Sequence, residues 1–251
     1  DSIDADTITE LLLFLFACVM PMLDTSDDTL RDNNGDLTYS VSKFDRSINS
    51  SVKLVIKDGD TRGHASGNYF KYGRHRFIMT AAHVVDAGEI WAEDGLDILK
   101  TEVLWVDHKR DLAIVRPMGK LTTISPAKFK INYADNKIGS IIRYAGYPDH
   151  LGKLVLQGIV AGEEGTNLIL QSFALPGSSG SVIFDKKGRA MAVLSAVSVQ
   201  PNPWVGIPEL EENIVYAGRL DFMDRHFLKE ILNRDPSKTA IKISEVPPGA
   251  G

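Results

Sequence analysis

The sequence predicts an all-β protein with a single C-terminal helix. Short runs rich in β-branched and aromatic residues recur along the chain, separated by Gly-, Pro-, Asn- and Asp-containing breaks, the pattern of a barrel or sandwich. Near the end the spacing changes: Leu220, Phe222, Met223, Phe227, Leu228, Ile231 and Leu232 fall at helical intervals. With 251 residues and 43% hydrophobic content, the chain can build one large domain or two barrels sharing a cleft.

The elements follow in order. Residues 1–45 hold an apolar segment and an acidic linker. The uninterrupted apolar run Leu11 to Met20 is ten residues, against about 20 for a membrane span. We read the segment Leu11–Leu23 as a helix for burial or assembly, with membrane or partner-protein contact as alternatives. Asp24 to Asp36 reads as the linker. Strands are expected at Val52–Lys57, Phe77–Thr80, Thr101–Val106 and Leu112–Arg116, giving a first β unit over 46–120. Pro117, Gly119 and Pro126 punctuate a Lys-rich boundary between Met118 and Asn136. A second unit over 121–235 takes strands at Ser140–Ala145, Leu154–Ala161, Asn167–Ser172, Ser181–Asp185, Ala190–Ala196 and Ile214–Ala217, with a hairpin turn at Asp185–Gly188. In the closing helix Asp221 or Asp224 suits the first turn, and Pro236 lies beyond the end. Residues 236–251 read as a tail or linker.

Three residues carry the chemistry. Gly177-Ser178-Ser179-Gly180-Ser181 frames a serine between glycines and runs into an apolar strand. Such a turn can hold a hydroxyl out of the sheet and leave backbone N–H groups free for an anion. Ser178 is the alternative nucleophile, but the Gly-x-Ser-Gly frame selects Ser179. Upstream, the apolar strand ending Thr80-Ala81-Ala82 is followed by His83. Asp111 opens the strand Leu112–Val115; Asp107 is the competing acid, and the strand directly after Asp111 favours Asp111. The order His, Asp, Ser is that of the chymotrypsin-type triad. The remaining histidines (His64, His75, His108, His150 and His226) are scattered, and none forms a His-Glu-x-x-His motif, so neither metal nor cofactor is expected.

In these motifs the chain resembles the trypsin/chymotrypsin-like serine proteases, closest to the Deg/HtrA and viral branch. Gly63–Gly67, Val106–Val115, Ile138-Gly139-Ser140 through Gly146-Tyr147-Pro148, Gly158-Ile159-Val160 and Gln171–Ser179 all match that branch in order. The resemblance implies a chymotrypsin-like fold of two six-stranded antiparallel β-barrels, with a C-terminal helix packed on the second. It also implies a polypeptide substrate. Ser179 would be the nucleophile, His83 the general base and Asp111 its orienting acid, with the N–H groups of Gly177 and Ser179 as the oxyanion hole. Ser195 would lie beside Asp111. Phe173, Ser195, Ala196 and Val197 would line the specificity pocket. Phe173 brings no acid there and Val197 narrows it, so a small or medium apolar residue is expected before the cut. Ser178 and Ser181 depart from the family pattern; Ser181 stands where most members carry glycine. That departure keeps open a second class, a protease-fold binding or structural module without catalysis.

Composition sets outer limits. A net charge of −5 gives no footprint for nucleic-acid binding. One cysteine rules out an internal disulfide, which fits a bacterial-envelope, organellar or viral enzyme better than a disulfide-rich secreted one.

Overall fold

A computed structural model describes residues 30–31, 37–38, 43–135, 137–148, 151–201 and 208–234. The apolar segment Leu11–Leu23, His150 and the tail 236–251 lie outside the described residues. The chain divides into two compact units, Asp1–Val41 and Ser42–Gly251. In the first, the two-residue strands β1 (Leu30–Arg31) and β2 (Leu37–Thr38) pair antiparallel, Leu30 opposite Thr38.

The second unit begins with a short helix, α1 (Lys43–Ile48), and then builds two closed barrels. The strands of the first are β3 (Ser51–Asp58), β4 (Thr61–Tyr72), β5 (His75–Thr80), β6 (Glu89–Asp94), β7 (Asp97–Asp107) and β8 (Leu112–Pro117). They run in the order β3-β6-β7-β8-β5-β4, antiparallel throughout, and β3 pairing with β4 closes the ring. A two-residue strand, β9 (Ala127–Lys128), lies parallel against Phe70 and Lys71 of β4, beyond the end of the β3 pairing. The second barrel takes β10 (Ile141–Gly146), β11 (Leu154–Glu164), β12 (Asn167–Gln171), β13 (Val182–Asp185), β14 (Ala190–Pro201) and β15 (Pro208–Arg219). Its order is β10-β11-β12-β15-β14-β13, closed by Ile142 opposite Asp185. The expected chymotrypsin-like pair of six-stranded barrels is therefore present.

Apolar burial explains the closure. Leu112, Ala113, Ile114 and Val115 of β8 are all fully buried, as are Val182, Ile183 and Phe184 of β13. Phe70, Phe77 and Phe129 stack edge-on at 4.9 and 5.3 Å, and Phe184 of the second barrel meets Phe70 at 6.1 Å. One core thus continues from the first barrel into the second. A separate cluster around Ile142, Tyr144, Leu168, Leu170 and Met191 fills the second barrel. At the end of β6, Asp94 accepts hydrogen bonds at 2.5–2.9 Å from the backbone and hydroxyl groups of Thr122 and Thr123, in the segment that follows β8. Burial opposes its charge, but these donors prevail and lower its pKa to about 2.

Three local differences from expectation have physical causes. The closing helix spans Arg225–Leu232. It starts five residues later than the apolar spacing suggests, because residues 220–224 form a turn and the Asp224 side chain caps the helix by accepting from Phe227 N at 2.8 Å. It also docks on the first barrel rather than the second. Its Leu228, Ile231 and Leu232 join the first-barrel core, Trp105 of β7 meets Phe227 edge-on at 5.3 Å, and Arg116 of β8 donates to Leu232 O at 2.8 Å. Strand β6 was not among the expected runs; charged Glu89, Glu93 and Asp94 interrupt its apolar residues.

Candidate active site

The histidine is placed by a strand that stops abruptly. Phe77 to Thr80 are fully buried, and Ala81 and Ala82 follow with almost no exposed surface. The chain then turns into a five-residue helix, Ala82–Asp86, whose inward face is Ala82 and Val84. His83 points the other way, with 48% of its side chain exposed.

Asp111 sits on a turn that is built for it. Its φ is +54°, in the left-handed region, which Asp tolerates better than most residues. Asp107 holds the turn: its carboxylate accepts from Lys109 N at 2.9 Å, Arg110 N at 3.2 Å and Arg110 Nη1 at 2.8 Å. The guanidinium of Arg110 rests on the Phe222 ring at 4.1 Å. Asp107 is thus the turn acid, and Asp111 faces the histidine. His83 N donates to Asp111 Oδ1 at 2.9 Å, and His83 Nδ1 lies 2.7 Å from Asp111 Oδ2. Ser195 Oγ donates to the same Oδ2. From the other side, Gly218 of β15 packs so close to Arg110 O that no Cβ would fit. Both barrels therefore fix the aspartate.

The electrostatics follow from these contacts. The Asp111 hydrogen bond raises the His83 pKa above its ordinary 6.5, against the opposing effect of partial burial; the charges of Asp111 and Asp86 add to the rise. For Asp111, burial works to raise the pKa, but the hydrogen bonds from His83 and Ser195 outweigh it and hold the carboxyl below 3.8.

The serine turn leans on the strand end that leads to His83. Gly177 and Gly180 have φ of +91° and +88°, so both positions favour glycine. A Cβ on Gly180 would collide with Ser66 O and Thr80 Oγ1 and lie 3.2 Å from Ala81 N. Ser66, fully buried on β4, clamps the turn. Its N–H donates to Ser179 O at 2.9 Å, and its hydroxyl donates to Gly177 O at 2.8 Å while accepting from Tyr147 N at 2.8 Å. Thr80 Oγ1 donates in turn to Ser66 O at 2.8 Å. Asn68 accepts from Val182 N at 2.9 Å just past the turn. Ser66 and Asn68 were not singled out from the sequence; the glycine-bounded run around Ser66 was the signal available. Ser178 N donates to Leu175 O and Ser181 N to Ser178 O, and Gly180 N to Leu194 O. Among the described residues, the N–H groups of Gly177 and Ser179 make no backbone hydrogen bond. No hydrogen bond joins Ser179 Oγ to His83 among them either. The hydroxyls of Ser178 and Ser181 are buried without a hydrogen-bond partner among the described residues. Ser181 fits because position 146 is glycine: a Cβ there would lie 2.7 Å from Ser181 Oγ.

Residues 65–193 match the family of trypsin-like peptidase domains, over half of the chain. The chain belongs to that family. As a trypsin-like peptidase domain it shares its fold with solved proteases. One is the serine endoprotease from Yersinia pestis, at 21% identity and a TM-score of 0.57, over 78% of this chain and 68% of that one. Another is the HtrA-type protease AlgW, solved with a tripeptide, at 16% identity and a TM-score of 0.59, over 76% of this chain and 62% of that one. No curated protein matches the chain.

Of the residues expected to line the specificity pocket, Phe173 and Ser195 are described with their side chains. Phe173 is 48% exposed, and its carbonyl accepts from the hydroxyl of fully buried Tyr144. Burial pushes that phenol to a pKa of about 12. Ser195 stands against Asp111 as described. Ala196 and Val197 continue β14, paired with Tyr216 and Val215; their side chains lie outside the described residues. Among the described residues no cluster of His, Cys, Asp or Glu could hold a metal ion, and no helix is long and apolar enough to cross a membrane.

Proposed function

We propose that the chain is a serine endopeptidase working through an acyl-enzyme on Ser179. The observation that supports this most is the His83–Asp111 pair, at 2.7 Å, on the same wall that receives the serine turn. With Nδ1 against the carboxylate, the imidazole keeps Nε2 as its free base. Ser179 Oγ attacks the peptide carbonyl and its proton passes to Nε2. The carbonyl oxygen becomes an oxyanion, received by the N–H groups of Gly177 and Ser179. Collapse breaks the C–N bond, and His83 returns the proton to the leaving amine. Water, deprotonated by His83 in the same way, then releases the acyl group and restores Ser179. Asp111 keeps the tautomer and stabilises the imidazolium. A nucleophile–base hydrogen bond can tighten only in the Michaelis complex, so the lack of a Ser179–His83 bond is compatible with this reading.

The same gap, with the unpartnered hydroxyls of Ser178 and Ser181, favours a second reading: a protease-fold module that binds without cutting. A fluorophosphonate probe separates the two. We expect it to label the folded protein and to leave Ser179→Ala untouched. A well-folded protein that takes no label supports the module. For specificity, the apolar Phe173 at the position six residues before the nucleophile supports a small or medium apolar residue before the cut. A peptide-library profile dominated by Lys or Arg at that position would overturn this preference.

A further inference from the structure

A groove of about 880 Å³ opens at the end of the barrels remote from His83 and Ser179. The strand directions fix its place. Strand β5 begins beside Tyr72 and Gly73 of the groove and ends toward His83; β13 begins just after Ser179 and ends toward Arg189 of the groove. The groove and the serine turn thus lie at opposite ends of the same two strands.

Its lining is strongly basic. Lys71, Lys128, Lys130, Arg225 and Lys229 are all exposed, and none has an ion-pair partner among the described residues. Arg189 also lines it but is held by Asp185 at 2.6 Å. No carboxylate lines the groove. Tyr133 stands within it, 53% exposed, its hydroxyl tied to Met223 O at 2.6 Å. That bond holds an aromatic ring at the surface. Five cations that lack an ion-pair partner among the described residues and share a lining with no carboxylate, in a protein of net charge −5, repel one another and are stabilised by a polyanion.

We infer that this groove binds a single-stranded nucleic acid. Four of the five cations are lysines, point charges spread along the groove rather than Arg forks converging on one carboxylate or phosphate. Such a row suits phosphates repeated along a strand, and exposed Tyr133, beside half-buried Tyr72 in the lining, offers a ring face for base stacking. An acidic polypeptide would use the charges and leave the ring without a role. The net charge hides this site, because the cations come from segments near 71, 128, 189 and 225 that only the fold assembles.

The test is fluorescence anisotropy of labelled mixed-sequence oligonucleotides, RNA and DNA in separate arms, with the 251-residue chain. Binding is expected to weaken with salt, with a log–log slope of about −3 to −4 if all five cations engage. The pair Lys128→Glu with Lys130→Glu lowers affinity at least about tenfold at fixed salt, while Lys120→Glu with Arg62→Glu, equal in charge and outside the groove, changes it less than about threefold. Tyr133→Ala weakens binding severalfold with the salt slope unchanged. Thermal melts equal to the parent's establish that the variants are folded, and Tyr133→Leu serves if Tyr133→Ala melts early. Three results overturn the inference: no oligonucleotide binding at low salt, equal losses in the groove and control pairs, or polyglutamate binding as tightly as the oligonucleotides and displacing them. The last would make the occupant an acidic polypeptide. An RNA or DNA preference identifies the sugar and leaves the inference standing.

Discussion

In the proposed mechanism His83 and Asp111 set the response of activity to pH. There His83 must be neutral to act as a base, so activity is expected to fall as pH drops through its pKa. The Asp111 hydrogen bond raises that pKa above 6.5. We therefore predict that kcat/KM rises with pH and reaches half its plateau above pH 6.5. In Asp111→Asn the inflection moves down, alongside a large loss of rate. A half-maximum at or below 6.5 in the unsubstituted protein would contradict the assignment. Stability carries the same pair with opposite signs. The raised His83 pKa contributes stability that is fully present below 6.5 and lost as pH rises through the folded value. The lowered Asp111 pKa contributes stability present above 3.8 and lost as pH falls through its folded value. The pair thus stabilises most between the two.

At the scale of elements, the C-terminal helix Arg225–Leu232 ties the end of the chain back to its first barrel. Leu228 is 2% exposed within the core that also holds Phe70 and Leu112. Truncating a buried leucine removes its transfer free energy and leaves a cavity. Leu228→Ala is expected to cost about 2–4 kcal/mol in denaturant unfolding. Because the helix lies away from His83, the pH inflection should stay where it was; a shift in that inflection would show that the helix also shapes the site. The helix was legible in the sequence as an apolar stripe. Its start was less so, because Asp221 and Asp224 both suit a cap and only the fold selects Asp224. Its docking partner was not legible, since Trp105 and Arg116 lie more than a hundred residues upstream of it.

For the whole molecule, the two barrels work as one frame. The first holds His83 and Asp111, the second Ser179, and bonds cross between them: Ser66 to Gly177 and Ser179, Ser195 to Asp111, Asn68 to Val182. The barrels were readable because apolar strands and glycine breaks are local signals. The positions of the candidate residues His83, Asp111 and Ser179 were readable because each sits at a strand boundary with a short motif around it. The Ser66 clamp, the left-handed Asp111 turn held by Asp107, and the basic groove were not readable. Each depends on residues brought together from distant segments, or on a backbone angle that no single residue type dictates. The claim that the two barrels assemble one catalytic unit has a direct kinetic measurement: peptide hydrolysis by Ser179→Ala, His83→Ala and the double variant. Residues that act as a unit are strongly non-additive. Each single variant is predicted to lose about 10⁴- to 10⁶-fold in kcat, and the double variant no more than either alone. Losses that multiply in the double variant, or turnover that survives Ser179→Ala, would contradict the account.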